Sequence, residues 1–504
     1  MKYLLPSTLC LVVVTIVMAS VIAHGQSQQV DLSIKSVVQL AQSQAPDVLI
    51  AETRLSNSYW QYQSFKANYR PLIALEGNLP AINRSIESIT IPDGSETFIQ
   101  RSFMRNSMGI SLAQDVALTG GSVFVSTNLN RLDVFETAIS PASISYLSTP
   151  VTVGFVQPFF QFNRLKWDQK TEPLRYEEAQ SVYSEELESI AYDAILFFFD
   201  VYRSQAILDG AITDKNNADT LYNISKGRFE VGRIAETELL QLELQSMNAD
   251  DAIAEATLQL QSSTEVLRNF LGIKTKVEFR PSLPDDLPNI SIDPVMALEY
   301  ANRYRSQTFA FRRRLLEAER EVDQAEKNNG FTVDLTGSIG LTQTAPDLFG
   351  AYNNPLSQEQ VSLRLRVPIA DWGKARSRRE TARSNRDLIF MQVEQDQVSF
   401  EQQVLLSVQQ FELIKNRVTL ARKSLEVAQK KQELTRGRYL IGKIGITDFN
   451  QSLIDLDRSR RSFIESQRDF WVAYYTIRGL TLYDWENDRP LIVSSDEDAF
   501  YEIN

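Results

Sequence analysis

The stretch Gly227-Arg228-Phe229-Glu230-Val231-Gly232-Arg233-Ile234-Ala235-Glu236-Thr237-Glu238 returns 210 residues later as Gly437-Arg438-Tyr439-Leu440-Ile441-Gly442-Lys443-Ile444-Gly445-Ile446-Thr447-Asp448. The copies align without a gap, and both glycines, the arginine, the isoleucine and the threonine recur. A glycine inside a helical pattern marks a helix end, because it adopts positive φ at little cost. A threonine followed by an acid is typical of a helix start. Each copy is therefore predicted to be the tip of a helical hairpin in a duplicated chain.

Long helical patterns lead into and out of these two tips. Apolar residues recur there with the period of an amphipathic helix. The two longest patterns each span about 90 to 95 Å at 1.5 Å per residue. Pro46 is the weak point of the first pattern, because proline kinks a helix. The predicted helices cover residues 33–69, 168–229, 236–271, 295–328, 374–438 and 447–481.

Short segments of alternating polarity precede each long helix and are predicted to be strands. Val151–Phe159 has its counterpart in Val361–Ile369, and Leu72–Leu79 has its counterpart in Phe331–Thr342. The duplication therefore predicts four strands, each with one apolar and one polar face. The first half also carries an extra hairpin over 107–130, turning at Gly120-Gly121. Residues 81–106, with a turn at Pro92-Asp93-Gly94, and 131–148 are predicted to be polar loops.

Composition excludes several classes of function. The first 25 residues, with Lys2, an apolar run and small residues, are predicted to be a cleaved signal peptide. The only cysteine, Cys10, and the only histidine, His24, lie within it. Disulfides, thiol catalysis and metal sites built on His or Cys are therefore not expected. The net charge of −12 argues against a nucleic-acid binding partner. We find no catalytic constellation and no cofactor motif, so no enzyme is predicted.

The strands allow two environments. Their apolar face could be the core of a soluble sandwich, or it could face lipid while the polar face lines water. Arg364 and Arg366 share the polar face and suit a wet lumen. Four strands cannot close a membrane barrel, and an open edge in lipid is forbidden by its unpaired backbone groups. A membrane barrel would therefore need several chains, and three copies would give twelve strands.

The chain resembles the TolC-like family of outer-membrane efflux proteins over nearly its whole mature length. The resemblance rests on the two tips and on the segments Gln157–Asn163 and Val367–Gly373, each of which joins a strand to a long helix. It implies a mainly α protein with β structure. Internally duplicated long α-helical hairpins would form a trimeric α-barrel tunnel, and four strands per chain would contribute to a 12-stranded outer-membrane β-barrel.

The resemblance also implies partners and a division of the chain. The partners would be two further copies, a periplasmic adaptor (membrane fusion protein), an inner-membrane pump and outer-membrane lipid, in a tripartite efflux or type I secretion system. Residues 273–294 and 482–504 would form a belt around the tunnel. The predicted divisions are a signal peptide (1–25), a first repeat (26–272), a connector (273–294), a second repeat (295–481) and a tail (482–504).

Candidate site residues fall into five groups. An exposed turn seldom keeps Val and Ile, which favours partner contact at the tips. The acids that begin the returning helices are stabilised by the helix N-termini, and threefold symmetry would gather them into a ring. The resemblance implies that Tyr439 and Glu238 take part in bonds between neighbouring hairpins in the closed state. The predicted groups are adaptor-docking tips (Gly227, Val231, Gly232, Arg233, Gly437, Ile441, Gly442, Lys443), an entrance gate (Glu238, Tyr439, Asp448), lipid-facing strand residues (Val151, Val153, Phe155, Leu363, Leu365), lumen residues (Arg364, Arg366) and an aromatic girdle (Phe159, Phe160, Phe162, Trp372).

A second reading of the same patterns stays open. Heptads alone also suit a secreted or periplasmic coiled-coil scaffold with a small β domain and no transport role.

The family's second tip often carries a further acid one helical turn after the position of Asp448, where this chain has Gln451. The motif therefore predicts one acidic ring at the entrance and leaves a second one open. The sequence identifies neither the exported substrate nor the class of pump.

Overall fold

The structure is a computed structural model that describes residues 28–136, 141–275, 277–284 and 287–492. The predicted signal peptide, with Cys10 and His24, and residues 493–504 of the predicted tail lie outside these ranges. The chain divides into two compact units. Among the described residues, the first draws on 28–53, 183–301 and 403–491, and the second on 54–182, 302–402 and 492.

Helices dominate both halves of the duplication. The two longest have 67 residues each, about 100 Å at 1.5 Å per residue. Within the described ranges, no helix combines the length and the apolar character needed to cross a membrane. In chain order the helices are α1 (Ile34–Gln44), α2 (Pro46–Ala67), α3 (Arg164–Glu230), α4 (Glu236–Phe270), α5 (Pro294–Tyr304), α6 (Ser306–Lys327), α7 (Lys374–Leu440) and α8 (Ile446–Thr481).

Two predicted helices are each split in two. The helix predicted over 33–69 breaks at Ala45, whose backbone is extended, and Pro46 opens α2. The residue before a proline avoids the helical region, whereas proline itself suits a first helical position. The helix predicted over 295–328 also breaks, at Arg305, whose ψ of 139° is extended, although the next residue is Ser306 and not a proline. Pro46 therefore ends one helix and starts another rather than kinking a single one.

The second unit contains a six-stranded antiparallel sheet with the order β2-β3-β4-β5-β7-β8. The expectation of four strands per chain was wrong for this sheet, because the extra hairpin is inserted between the two strands of the first half. The strands are β1 (Gln28–Leu32), β2 (Leu72–Thr90), β3 (Glu96–Val116), β4 (Gly121–Val134), β5 (Ser143–Phe159), β6 (Val277–Pro281), β7 (Thr332–Ala345), β8 (Leu356–Arg366), β9 (Tyr483–Asp484) and β10 (Arg489–Pro490).

The predicted polar loop over 81–106 is in fact the continuation of β2 and β3. The two strands pair without interruption from Ala81↔Arg105 to Thr90↔Glu96. Only Ile91–Ser95 form a turn, in which the Gly94 N–H donates to the Ile91 carbonyl at 2.8 Å. The loop predicted over 131–148 likewise contains the ends of β4 and β5, which pair up to Val134↔Ser143. Both segments were missed because polar residues interrupt their apolar alternation.

The core of the first unit contains a buried ion pair between α3 and α8. Arg478 donates Nε and Nη2 to the two carboxylate oxygens of Glu188 at 2.8 and 2.9 Å, and the Glu188 side chain is only 3 % exposed. A glutamate is almost never buried to this extent unless it is paired, and here the guanidinium supplies the partner. Asp484 lies 3.5 Å from the same guanidinium and accepts a hydrogen bond from Tyr474 at 3.0 Å. Burial raises the pKa of Asp484, but hydrogen bonds from Asn487 and the charge of Arg478 outweigh it, so its pKa lies below the usual range.

Two small sheets complete this unit. β1 runs parallel to β6, and β9 pairs with β10. Tyr300 on α5 stacks on Tyr483 of β9, with ring centroids 4.1 Å apart. Parts of the predicted connector and of the predicted tail therefore lie in the same unit as the middle of α3.

Replacing Arg478 by Met is expected to destabilise the protein strongly. The substitution leaves the Glu188 carboxylate buried without its cation, which costs about 3–5 kcal/mol. Arg461→Met is the matched control, since Arg461 and its partner Asp457 are 62 % and 45 % exposed and such pairs contribute about 0–1 kcal/mol. Thermal unfolding of the purified variants, followed by helical circular dichroism, compares the two. Equal midpoints would show that the buried pair is not a principal stabilising contact.

Candidate functional site

The two predicted tips form turns of the same construction. α3 ends at Glu230 and α4 starts at Glu236, and the second hairpin repeats these limits 210 residues later at Leu440 and Ile446. Gly232 has φ of 70° and Gly442 has φ of 73°. At the first tip, the N–H groups of Gly232 and Arg233 donate to Phe229 and Arg228, both at 2.8 Å. The second tip makes the equivalent bonds at 2.9 Å, so both helices end in a Schellman motif.

The tips present apolar and cationic side chains to solvent. Val231 is 68 % and Ile441 is 66 % exposed, and the following Arg233 and Lys443 are exposed as well. A β-carbon added at Gly232 or Gly442 would meet nothing within 4 Å, so only the positive φ requires glycine there.

Gly227 and Gly437 differ from these turn glycines. They lie inside α3 and α7, where a glycine costs about 1 kcal/mol relative to alanine. Neither has a positive φ, and a β-carbon at either position would meet nothing within 4 Å. The single chain therefore gives no internal reason for a glycine at these two sites.

The two hairpins are joined just behind the tips by an apolar cluster, which we call the interhairpin cluster. It comprises Leu221, Leu242, Tyr439, Ile446 and Phe449, drawn from α3, α4, α7 and α8. Tyr439 is 2 % exposed and its ring stacks on Phe449 at 5.5 Å. Arg228 adds a polar link by donating to the Leu440 carbonyl at 2.7 Å. The sequence did not reveal this cluster, although Ile446 and Phe449 stand at helical spacing after the second tip.

The cluster makes the two tips unequal. Tyr439 is buried, whereas its counterpart Phe229 is 38 % exposed. The Tyr439 hydroxyl lies 3.5 Å from the Ser225 hydroxyl of the first hairpin, rather than at the surface. Of the other predicted gate residues, Glu238 is half-buried in the first turn of α4 and Asp448 is exposed in the first turn of α8. The structure therefore brings Tyr439 together with Ser225.

One face of the six-stranded sheet is an exposed apolar band. Cross-strand partners place Ile73, Leu112, Val125, Val153 and Ile339 in one row. Their exposed fractions are 68 %, 36 %, 41 %, 47 % and 60 %. The predicted lipid-facing residues Val151, Phe155, Leu363 and Leu365 are also 39 % to 62 % exposed.

The opposite face carries the predicted lumen residues. Arg364 is the cross-strand partner of Asp334, and Arg366 is the partner of Thr332. Gln161 donates to the Asp334 carboxylate at 2.6 Å. Ser338 and Gln360 continue this polar face along β7 and β8. Charged and amide groups thus line one side of the sheet while the other side is apolar.

The predicted girdle residues lie where strands give way to long helices. Trp372 is 97 % exposed with φ of 54°, and Phe160 is 67 % exposed with φ of 61°. Such a conformation is strained for an aromatic residue and is rare outside functional sites. Phe159 is 41 % exposed, whereas Phe162 is half-buried beneath the Arg320 guanidinium, 5.9 Å from its ring. Phe162 therefore packs against a cation, while the Phe160 ring lies 5.7 Å from the ring of Phe331.

The fold is similar to that of solved outer-membrane channel structures. The outer membrane channel CmeC of Campylobacter jejuni superposes with a TM-score of 0.65 at 14 % identity, covering 93 % of this chain and 89 % of that one. The outer-membrane channel OprN gives 0.64 at 14 % identity over 90 % of both chains. The outer membrane protein VceC of Vibrio cholerae gives 0.60 at 12 % identity, over 89 % and 96 %. At these identities the likeness concerns the fold.

Sequence comparison identifies the family. No curated protein sequence gives a significant match. The family model for outer membrane efflux proteins matches residues 37–273 and 307–481, which include both tips and all six strands of the large sheet. Since this match covers well over half of the 504 residues, the chain is a member of the outer membrane efflux protein family.

Proposed function

We propose that the protein is the outer-membrane channel-tunnel of a tripartite efflux or type I secretion system, built from three copies of this chain. It would receive substrates from an inner-membrane pump and pass them across the periplasm and the outer membrane. The observation that carries the proposal is the large sheet, whose apolar face and two edge strands have no covering element within the described residues.

Lipid would cover the apolar face of the sheet, and further copies of the chain would pair with its two edge strands. A band of exposed Val, Leu, Ile and Phe side chains across six strands is far larger than the scattered apolar residues of an ordinary surface. Contact with lipid hydrocarbon would remove these apolar side chains from water. The edges β2 and β8 carry unpaired backbone groups, which lipid cannot satisfy. Pairing β8 of one copy with β2 of the next closes the sheet and leaves the Arg364 face toward water.

The helical hairpins suit a tunnel that continues from the barrel. α3 follows β5 and α7 follows β8 within eight residues, and each helix is about 100 Å long. Three copies would contribute twelve helices and six tips. We infer that residues 273–294 and 482–504 form the belt around this tunnel. The signal peptide (1–25) would direct the chain to the periplasm, with the repeats 26–272 and 295–481 on either side of the connector.

The tips are the surface that we assign to the periplasmic adaptor. Val231 and Ile441 are apolar and exposed at the end of each hairpin, as expected of side chains that a partner protein covers. Arg233 and Lys443 add positive charge beside them. Gly227 and Gly437 leave the helix backbone bare on the approach to each tip, so an adaptor helix could come close there.

The entrance gate is assigned to the same region. Glu238 and Asp448 stand at helix N-termini, where a carboxylate is favoured by the helix dipole, and three copies would place six such acids around one opening. Tyr439 holds the two hairpins of one chain together through the interhairpin cluster. A gate that moves one hairpin against the other must therefore change the packing of Tyr439, which is how this residue would act on opening.

A periplasmic scaffold without transport is the competing function. It would also use the long hairpins, but it gives no covering for the apolar face of the sheet. That uncovered face favours the channel.

Fractionation of the native envelope separates these two functions. The channel is expected in the outer membrane after alkaline washing, and chemical crosslinking of the detergent extract should give three copies of the chain. The reason is that a lone chain exposes both sheet edges to lipid. A single copy released by alkali would instead identify the scaffold.

Charge on the two sheet faces is expected to act oppositely on assembly. Val153→Arg and Leu363→Arg place a cation on the apolar face, at a cost of about 2–4 kcal/mol near the bilayer midplane. Arg364→Ser changes only the polar face and should assemble normally. The yield of crosslinked trimer in the outer membrane measures all three variants. Normal assembly of Leu363→Arg together with failure of Arg364→Ser would reverse the assignment of the faces.

Negative charge at the tips is expected to weaken adaptor binding. Gly232→Asp and Gly442→Asp place a carboxylate next to Arg233 or Lys443 in open space, and Asp tolerates the required positive φ better than most residues. We expect about tenfold weaker binding of the purified adaptor to the purified trimer. Gly232→Asn and Gly442→Asn are the controls, because they share the backbone preference and lack the charge. If all four variants bind as the wild type does, the tips are not the docking surface.

A further inference from the structure

We propose that the membrane barrel of this protein has eighteen strands, six from each of three copies, instead of the twelve that the family resemblance implied. This inference rests on the proposed function, since it concerns the barrel of that channel. It depends on whether the hairpin formed by β3 and β4 is part of the barrel wall or an appendage beside it.

Hydrogen-bond register places the hairpin within the wall. β3 pairs with β2 over seventeen residue pairs and with β4 over fourteen. β4 then pairs with β5 from Ser122↔Val156 to Val134↔Ser143, with one irregularity near Asn128. An appendage would leave β2 free to pair directly with β5. Here both of those strands pair with the hairpin instead.

Side chains fix the turn of the hairpin to the start of α3. Asn163 accepts a hydrogen bond from the Lys166 N–H, and so caps α3, while its amide donates to the Ala117 carbonyl at 2.8 Å. Gln157 on β5 donates to the Thr119 carbonyl at 3.2 Å. Gln114 on β3 donates to the Tyr69 carbonyl, just after α2, at 3.0 Å. The hairpin is thus bound to the two places where the chain passes between sheet and helices.

Glycines and aromatic rings interlock the inserted strands with the rest of the sheet. The Phe124 ring of β4 covers Gly154 of β5, where an added β-carbon would lie 2.5 Å from the ring. The Phe155 ring of β5 covers Gly337 of β7 in the same manner, at 2.7 Å. Such pairs fix the register of neighbouring strands. The contact between β4 and β5 is therefore as specific as the contact between β5 and β7, which belong to the duplicated part.

The stagger of the strands has the size that a closed barrel requires. Cross-strand partners of Leu72, the first residue of β2, run through Ala113, Phe124 and Gly154 to Gln360, six residues before the end of β8 at Arg366. Six residues correspond to about 20 Å along a strand, against about 24 Å across five strand spacings. The strands therefore tilt by about 40° from the axis of a barrel, within the range of known barrels.

Closure by three copies follows from the direction of the edges. β2 leaves the end of α2 and β8 returns to the start of α7, so the two edges are antiparallel, as a hydrogen-bonded junction between copies needs. At a tilt of about 40° and a spacing of about 4.8 Å, eighteen strands give a backbone radius of about 18 Å, against about 12 Å for twelve. Barrels of 16–18 strands enclose an open aqueous channel. The outlet would therefore accept bulkier cargo than a twelve-stranded outlet.

Electron cryomicroscopy of the detergent-extracted wild-type trimer counts the strands directly, and we expect eighteen. Charge substitution in the inserted hairpin gives a second, independent measurement. Leu112→Arg and Val125→Arg alter the apolar face of β3 and β4, and we expect at least tenfold less trimer in the outer membrane. Ser111→Arg and Ser126→Arg alter the adjacent residues on the opposite face, and these controls should stay within twofold of the wild type.

The outcomes separate the inference from the proposed function. A membrane-inserted trimer with twelve strands, in which Leu112→Arg is tolerated, overturns the eighteen-stranded barrel and leaves the channel function intact. Failure of the wild-type chain to form any membrane-inserted trimer overturns both. Eighteen strands with the expected contrast between the two faces supports both.

Discussion

The unpaired backbone along β2 and β8 is the constraint on which the rest of this structure depends. A sheet edge in water can be tolerated, but a sheet edge in hydrocarbon leaves N–H and C=O groups without partners at a cost of several kcal/mol each. The apolar face of the same sheet favours hydrocarbon. Both conditions are met together only when each edge strand pairs with an edge strand of another copy. In the proposed channel, the oligomer would therefore be a requirement of the sheet rather than an addition to a finished monomer.

The duplicated hairpins show how one local solution serves two different roles. Both helices stop by the same pair of backbone hydrogen bonds around a positive-φ glycine. Two equivalent residues of the repeat nevertheless differ in their packing, because Tyr439 lies in the interhairpin cluster whereas Phe229 remains exposed. The cluster makes the two hairpins of one chain a single packed body behind the tips. In the proposed channel, any motion that opened the entrance within one chain would have to work against this packing.

The sequence predicted the parts of the fold that depend on local chemistry. Gly232 and Gly442 mark the helix ends because only local backbone geometry is involved, and Gly120-Gly121 marks the turn between β3 and β4 for the same reason. Long-range choices were harder to predict. Residues 81–106 carry Arg84, Ser88 and Gln100 among their isoleucines, so the strand alternation was too weak to outweigh a loop. The burial of Glu188 could not be predicted from the local sequence, since its partner Arg478 lies 290 residues away. Among the candidate site residues, the buried position of Tyr439 depends on contacts with the other hairpin, which no local pattern contains.

The ion pair between Glu188 and Arg478 also bears on the order in which the chain folds. The first unit combines segments from the beginning, the middle and the end of the sequence, and Arg478 belongs to the last helix. Before α8 has been synthesised, the guanidinium of Arg478 is not available to form the buried ion pair with Glu188. Contacts of such high sequence separation form slowly, because the intervening chain must be ordered first. The growing chain therefore cannot complete this core before α8 has been synthesised.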